Sequence, residues 1–215
     1  SLSDSEIAEV FSIRNALGDS ELDNKRPFRY IHQSITTTKL LGLSTKLKPG
    51  ELSLANRGVL FADELCEYKS GVLDSLRQPL EDREIVLNKD GKKYFFPTDF
   101  IFVGATNPCK CGNFYESGNP KCSCSEADRQ RYISKLSGPL LDRIDLFTTM
   151  HRVNSSQLDK ASGENSKVLS KQMRQTVERT WEIQKKRATE NGQTQALNGV
   201  IRSENLADVF RADKK

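Results

Sequence analysis

Two runs of apolar residues, at 58–62 and 100–105, each lead into polar side chains. Runs this apolar are typical of strands that are buried on both faces of a parallel sheet. The first run meets the adjacent pair Asp63 and Glu64, and the second leads to Asn107. Because open α/β sheets bind ligands at the carboxyl ends of their strands, we expect the acidic pair to lie at such an edge.

Helices are predicted on either side of these strands. Ser3 and Glu6 have the spacing of a capping box, which predicts an amphipathic helix at the start of the chain. A second helix is expected to begin near Tyr68, and Pro79 should end or distort it. A third, basic helix is expected at about 126–136.

The remaining segments of the first 150 residues carry turn signals. Residues 84–97 alternate loosely between apolar and polar side chains around Asp90-Gly91, which favours a β-hairpin. Residues 18–50 are rich in Gly, Thr, Lys and Arg. They are expected to form an extended or hairpin-like excursion outside the core.

The last third of the chain has a different pattern. Residues 154–165 have the composition of a linker. A helix is predicted after it, because apolar residues recur there at every fourth position. We interpret this apolar stripe as a packing face, and the basic opposite side as a solvated one. The stripe consists of Leu169, Met173, Val177 and Trp181.

Composition limits the classes of protein. The 215 residues are 36% hydrophobic and 29% charged, with a mean hydropathy of −0.60, which is ordinary for one or two soluble domains. No apolar run approaches the roughly 20 residues that cross a bilayer, and no signal peptide is evident, so we expect a cytoplasmic protein. A net charge of +4 neither requires nor excludes nucleic acid.

Four of the five cysteines fall in one window. A paired Cys-x-Cys arrangement in a reducing compartment favours a metal site over disulfides. Four thiolates would bind Zn²⁺ in a closed, structural site, and free thiols are the alternative. Cys66 stands apart and is interpreted as a small buried hydrophobic residue. The four candidate ligands are Cys109, Cys111, Cys122 and Cys124.

The acidic pair has two interpretations. In the first, it is a Walker B element, in which Asp63 holds Mg²⁺ and Glu64 polarises the water that attacks a nucleotide γ-phosphate. In the second, the pair begins a helix, whose dipole favours acids in its first turn. Residues 58–65 alone do not decide between the two.

Four strings of residues together resemble a known family, the magnesium-chelatase-related AAA+ ATPases of the ComM and YifB type. The match runs in order from about residue 1 to 190. The joint pattern is specific, although no single string is. The strings are Pro-Gly-Glu-Leu-Ser-Leu-Ala-Asn-Arg-Gly-Val-Leu-Phe at 49–61 leading into Asp63-Glu64, Leu-Arg-Gln-Pro-Leu-Glu-Asp at 76–82, Asn-Pro-Cys at 107–109, and Ser-Gly-Pro-Leu-Leu-Asp-Arg-Ile-Asp at 137–145.

The resemblance implies roles for four residues in an ATPase that uses ATP and Mg²⁺. Asp63 and Glu64 correspond to the Walker B metal-binding and catalytic carboxylates. Asn107 corresponds to sensor 1, which orients the attacking water, whereas by itself it would be a turn residue before Pro108. Arg143 corresponds to the arginine finger that reaches a neighbouring subunit's site. By itself, this arginine would form a surface ion pair.

The sequence departs from the family pattern in three places. It contains no Gly-x-x-x-x-Gly-Lys-Ser/Thr loop, which the family has upstream of the segment that matches residue 1. It ends before the stretch that holds the family's sensor 2 arginine. We therefore expect an internal fragment without the phosphate cradle, and no ATP turnover by this chain alone. Ile31-His32-Gln33 stands where the family usually has Pro-His-His.

The resemblance implies an α/β fold with the AAA+ type of parallel-sheet P-loop NTPase core. An incomplete core with helical insertions is expected over residues 1–153, including the cysteine-rich window at 109–124. Residues 154–215 are expected to form a linker and part of a C-terminal helical lid. The segments at 26–48 and 84–97 match insertions that point at the central pore of related hexamers.

The implied function is an ATP-hydrolysing motor that forms a homo-oligomeric ring, expected to be a hexamer. It would act on DNA, as a helicase or in branch migration during recombination or transformation. The first alternative is a chelatase-type ATPase that drives metal insertion into a porphyrin. The cysteine window and the string at 137–143 favour the ComM type over that alternative. The second alternative is a zinc-stabilised DNA- or protein-binding module without catalysis.

Overall fold

The computed structural model describes residues 2–115, 121–151 and 164–190. The chain divides into two units, Ser1–His151 and Arg152–Lys215. In the second unit the structure describes one helix, α8 (Glu164–Glu190). In the first unit the elements are, in chain order, α1 (Asp4–Asn15), β1 (Phe28–Ile31), α2 (Thr37–Leu41), β2 (Gly42–Leu43), β3 (Lys48–Pro49), α3 (Glu51–Leu54), β4 (Val59–Ala62), α4 (Ser70–Ser75), α5 (Arg77–Asp82), β5 (Glu84–Lys89), β6 (Lys92–Pro97), β7 (Ile101–Gly104), α6 (Glu126–Ile133) and α7 (Gly138–Leu141).

Three of these strands form a parallel sheet in the order β1-β4-β7, with β4 in the centre. In this register Ile31, Ala62 and Gly104 are aligned at the carboxyl ends of the three strands. Gly58 directly precedes the central strand, where the backbone of Pro27 approaches closely, and an added Cβ there would lie 1.9 Å from the Pro27 carbonyl oxygen. The three chain segments that follow the strands therefore leave the sheet at one edge.

One face of the sheet forms the core. Ile31, Leu60 and Ala62 are buried there, and short helices supply the apolar side chains that cover them. Thr36 begins the first of these helices, α2, because its hydroxyl accepts a hydrogen bond from the Lys39 backbone N–H. The covering side chains include Leu40, Leu52, Leu73, Leu76 and Leu140.

The opposite face of the sheet is apolar and exposed, which the sequence analysis did not predict. Phe28 and Ile101 are 65% and 66% exposed, and Tyr30 and Val103 are also exposed. The prediction that both strands are buried on two faces is therefore wrong for β7, and β4 is fully buried only on its core side. Among the described residues of the first unit, no element covers this second face.

The segment at 18–50 is also part of the core, contrary to the expected excursion. It contains the sheet strand β1 and the helix α2, and Ile31 and Leu40 are 2% and 0% exposed. The charge within the strand is compensated, because Arg29 donates to Glu51 at 2.8 Å from Nε. The one charged side chain of this strand therefore has a partner on α3, and the strand itself is held by parallel pairing with β4.

An ion-pair cluster holds α1 against the amino ends of the sheet strands. Arg57 donates to Glu9 of α1 at 2.8 Å and to Asp99, just before β7, at 2.7 Å. The hydrogen bond from Arg57 lowers the pKa of the Glu9 carboxyl, although burial opposes this effect. These contacts fix the edge of the sheet that lies opposite the acidic pair.

Local sequence signals are confirmed where they were strongest. Helix α1 begins with the predicted Ser3–Glu6 capping box, and β5 and β6 form the predicted antiparallel hairpin. The helix expected from Tyr68 is two helices that meet at Leu76, and Pro79 lies in the first turn of the second one, where its missing N–H costs little.

The C-terminal helix is confirmed as α8, whereas the linker at 154–165 lies mostly outside the described residues. Within α8 the predicted packing stripe is exposed at Leu169, Met173 and Val177. None of the helices in the described part of the chain combines the length and apolar character that crossing a bilayer requires.

Candidate active-site edge and cysteine cluster

The acidic pair lies at the carboxyl end of the central strand. Asp63 and Glu64 directly follow β4, and both side chains are exposed. Glu64 has a left-handed backbone, with φ 51° and ψ 47°, and its N–H donates to Asp63 Oδ1 at 2.8 Å. Left-handed non-glycine residues are uncommon and occur preferentially at functional sites.

Gln33 contacts the Glu64 carboxylate, and the sequence analysis did not predict this contact. Its Nε2 donates to Glu64 Oε2 at 3.0 Å. Gln33 lies two residues after the end of β1, and parallel pairing of β1 with β4 brings it to the edge that carries Glu64. Recognising 28–31 as a sheet strand would have predicted this neighbour.

Asn107 follows the third strand at the same edge. Two backbone hydrogen bonds connect its segment to the acidic one: Ala105 N–H donates to the Ala62 carbonyl at 2.9 Å, and Leu65 N–H donates to the Ala105 carbonyl at 2.8 Å. The Asn107 side chain is exposed and lies beside Gly112, where an added Cβ would be 3.7 Å from its Oδ1. The structure thus brings the two backbone segments together, while the Asn107 amide lies near the turn at Gly112 in the cysteine loop.

A buried tyrosine contacts the carboxyl end of β1, at the edge of the sheet that carries the acidic pair. The Tyr68 hydroxyl donates to the Ile31 carbonyl at 2.6 Å, so it fixes the end of β1. Burial raises the pKa of Tyr68 to about 12, and the nearby Asp63 and Glu64 charges contribute to the shift. The tyrosine is therefore held in its neutral, donating form.

Arg143 lies away from these residues, in contact with α5. Its Nε donates to Glu81 Oε2 at 3.2 Å, and its Nη2 contacts the same oxygen. No contact joins Arg143 to Asp63, Glu64 or Asn107 among the described residues. Within one chain it therefore forms the surface ion pair that its sequence context allowed.

The four clustered cysteines converge in space. Their sulfur atoms all lie within 4.8 Å of one another, and all four are free thiols. The Sγ–Sγ distances are 3.4 Å for Cys109–Cys111, 3.8 Å for Cys109–Cys122 and 3.7 Å for Cys111–Cys122. Tetrahedral zinc with Zn–S bonds of about 2.3 Å separates its sulfurs by about 3.8 Å. The cluster has the donor set and spacing of a closed metal site.

Backbone amides favour the thiolate form of Cys111, whereas in Cys124 a backbone hydrogen bond is outweighed by hydrogen bonding with the neighbouring thiols, which raises the pKa to about 11. Hydrogen bonds from the N–H groups of Asn113 and Ser123 lower the pKa of Cys111 to about 6. Cys66 lies outside the cluster and is fully buried, as predicted, and this burial raises the pKa of its thiol.

Helix α6 connects the cluster to the acidic segment. Arg129 Nη1 donates to the Cys124 carbonyl at 2.7 Å. Beyond the C-terminal end of the helix, Lys135 Nζ donates to the Cys66 carbonyl at 2.8 Å, two residues after Glu64. Arg129 on the helix and Lys135 just after it therefore contact backbone carbonyls of the cysteine loop and of the acidic segment.

A parallel sheet whose central strand ends in an acidic pair fits the core of a P-loop NTPase-like protein. The family model described as magnesium chelatase, subunit ChlI, matches residues 2–158, and the chain belongs to this family. This result confirms the family that the sequence strings indicated.

Several relatives are similar over most of this chain. Competence protein ComM of Haemophilus influenzae is 39% identical over 191 residues, which cover 87% of this chain and 36% of ComM. The uncharacterized protein Rv2897c of Mycobacterium tuberculosis is 40% identical over 183 residues, covering 82% of this chain and 35% of its own. The chain thus spans about a third of the length of the curated relatives it matches.

More distant similarities cover less of the chain. The magnesium-chelatase 38 kDa subunit of Rhodobacter capsulatus is 36% identical over 61 residues, 28% of this chain and 17% of its own length. Among solved structures, NtrX of Brucella abortus superposes on 37% of this chain and 19% of its own, with 22% identity and a TM-score of 0.32. A TM-score this low describes only a partial superposition.

The Tyr68 contact predicts a loss of stability at high pH. The folded-state pKa of about 12 lies above the ordinary tyrosine pKa of about 10, so the unfolded chain releases this proton first and Tyr68 stabilises the fold less between pH 10 and 12. We expect Tyr68→Phe to cost about 1 kcal/mol at pH 7, and the difference from wild type to shrink above pH 10. Urea unfolding across this pH range measures both effects.

Tyr94→Phe, on the exposed hairpin strand β6, is the matched control. A Tyr68→Phe variant as stable as this control at pH 7 would contradict the proposed support of β1.

Proposed function

We propose that this chain supplies the Walker B and sensor 1 segments of an ATP-hydrolysing AAA+ motor. The observation that carries the proposal is the position of Asp63 and Glu64 at the end of the central parallel strand, beside the segment of Asn107. Membership in the magnesium chelatase family supports the same assignment.

The exposed carboxylates fit a magnesium nucleotide, because Mg²⁺ prefers hard oxygen ligands. Asp63 would hold the ion, which when bound neutralises charge on the phosphate oxygens. Gln33 holds Oε2 of Glu64 and leaves Oε1 to orient the attacking water and accept its proton. Asn107 would hold the same water from the neighbouring strand.

The phosphates themselves need another segment, because these 215 residues contain no Gly-x-x-x-x-Gly-Lys-Ser/Thr loop. The sheet face that no described element of the first unit covers supports an incomplete core, since parallel sheets are normally covered on both sides. A further layer on this face would bury Phe28, Tyr30, Ile101 and Val103. Residues 154–215 would contribute a linker and part of the helical lid.

Arg143 is proposed as the arginine finger of a ring-shaped homo-oligomer, with a hexamer as the expected form. It pairs with Glu81 within one chain, so it must exchange this partner to reach a neighbour's γ-phosphate. Developing negative charge on the phosphate in the transition state favours that exchange.

DNA is the proposed substrate, and the β5–β6 hairpin is its proposed contact. Lys89 and Lys92 are paired directly across the two strands beside the turn, and Lys93 follows on the exposed strand. Like charges in cross-strand pairs destabilise a hairpin, and a phosphate backbone would relieve this repulsion. ComM of Haemophilus influenzae is named a competence protein, which is compatible with work on DNA.

Metal insertion into a porphyrin is the second candidate, because the matching family model is named for a magnesium chelatase subunit. The hairpin lysines favour an anionic polymer as substrate and therefore support DNA as the first candidate.

Structural zinc is proposed for Cys109, Cys111, Cys122 and Cys124. The four sulfurs lie close enough for tetrahedral coordination, and all ligand positions would be filled by protein, so the ion would stabilise the loop without taking part in the reaction.

The ATPase proposal predicts that substitutions at Glu64 and Glu84 have very different effects on ATP turnover. In the full-length protein, Glu64→Gln should lower ATP turnover by about 100-fold or more, because it removes the general base. Glu84→Gln, on the exposed hairpin, should leave turnover unchanged. The 215-residue chain alone should show no ATP turnover. If this chain hydrolyses ATP and Glu64→Gln abolishes that activity, the expectation that it lacks a phosphate-binding loop is wrong.

The DNA proposal predicts salt-sensitive binding of single-stranded or forked DNA, because phosphate contacts release counterions. Lys92→Glu should weaken binding and flatten its dependence on salt, whereas Lys25→Glu, an exposed site outside the hairpin with the same charge change, should do neither. Fluorescence anisotropy between 50 and 200 mM salt, roughly the range over which such contacts weaken, measures both effects. An affinity independent of salt would exclude this mode of binding.

The zinc proposal predicts about one equivalent of zinc per chain by elemental analysis. Cys111→Ser should lose the metal, and Cys66→Ser, which changes a thiol outside the cluster, should retain it. A folded, metal-free wild-type protein would refute the site.

A further inference from the structure

We propose that the cysteine cluster positions Asn107, so that release of its metal moves the Asn107 side chain away from the Asp63–Glu64 edge. The catalytic meaning of this coupling rests on the proposed function. Its structural part concerns only this chain and its metal and needs no nucleotide.

The covalent connection is short. Only Pro108 separates Asn107 from Cys109, and the proline ring fixes its own φ. Cys109 is fully buried, and its carbonyl accepts a hydrogen bond from Gly112 N–H at 2.9 Å. A displacement of the Cys109 sulfur is therefore transmitted to Asn107 through a stiff linkage.

Proximity of the Asn107 side chain to the cysteine turn adds to this connection. The Asn107 amide lies beside Gly112, the residue that directly follows Cys111. Gly112 has φ +78°, a conformation that glycine adopts without strain. The turn that brings Cys109 and Cys111 together therefore also lies next to the Asn107 side chain.

Helix α6 holds the other half of the cluster relative to the acidic pair. Arg129 donates to the Cys124 carbonyl, and its guanidinium lies 4.4 Å above the centre of the Phe114 ring. Lys135 donates to the Cys66 carbonyl, two residues after Glu64. The cluster is therefore connected to the candidate site on two sides, through Asn107 and through α6.

Metal binding would be the main force that closes this loop. The sulfurs approach to 3.4–3.8 Å, and thiolates at that separation repel one another unless a cation lies between them. Structural zinc sites commonly fold only with their ion. We expect the turn at 107–112 to lose its fixed geometry when the ion is removed.

Nuclear magnetic resonance of the side-chain amide groups tests this inference on the 215-residue chain. The Asn107 and Asn88 side-chain signals are assigned with Asn107→Asp and Asn88→Asp variants. When a chelator removes zinc, the Asn107 signals should shift or broaden, and added Zn²⁺ should restore them. Asn88, on the hairpin strand β5, should keep its signals and serves as the control for a general loss of fold.

Two substitutions on α6 test whether this helix positions Asn107 or only stabilises the fold. In the zinc-loaded protein, Arg129→Ala should shift the Asn107 signals although zinc is retained, because it removes the contact to Cys124. Arg131→Ala, on the same helix with a side chain that is 80% exposed, should not shift them.

In a chain that binds zinc, two results would overturn the inference. One is that Asn107 signals stay unchanged on zinc removal, and the other is that Asn88 signals change equally, which would reduce the cluster to a general stabiliser. Both results leave the ATPase proposal intact, because that proposal is tested by Glu64→Gln in the full-length protein. A chain that binds no zinc would refute the metal site and this inference together.

Discussion

Hydrogen bonding of the central strand β4 on both sides is the constraint on which the rest of this structure depends. Parallel pairing aligns Ile31, Ala62 and Gly104, so the segments that follow all emerge at one edge. The acidic pair, Gln33 and Asn107 become neighbours for this reason, although they are far apart in the sequence. The ion pairs of Arg57 secure the opposite edge, and together the two edges fix the sheet.

The elements that were predicted correctly depend on signals confined to a few residues. The capping box of Ser3 and Glu6 and the turn at Asp90-Gly91 satisfy their hydrogen bonds locally, so their sequence specifies them. Strand β1 was missed because its four residues lie in a stretch rich in Gly, Thr, Lys and Arg, and its partner strand β4 is distant in the sequence. The neighbour Gln33 was missed with it, since its role exists only once β1 is in the sheet.

Apolar runs alone also overestimated burial. A run such as 100–105 shows that a strand is apolar on both faces, but not which layers are present to cover it. The exposed Ile101 is the result. Cysteine spacing was more informative, because each Cys-x-Cys pair by itself places two thiols close together. That the two pairs meet at one point could be seen only in the structure. For Arg143 the sequence could not identify the partner, because Glu81, with which it forms an ion pair, lies 62 positions away.

The left-handed backbone of Glu64 has a consequence for how this position can vary. Its φ of 51° costs a non-glycine residue roughly 1 kcal/mol or more, and glycine would adopt it freely. Selection for stability alone would therefore replace this glutamate. Under the proposed function, the Glu64 carboxylate is presented at the expense of backbone strain. A copy of this domain without the proposed ATPase activity is expected to lose Glu64 before it loses the buried leucines that support the strand.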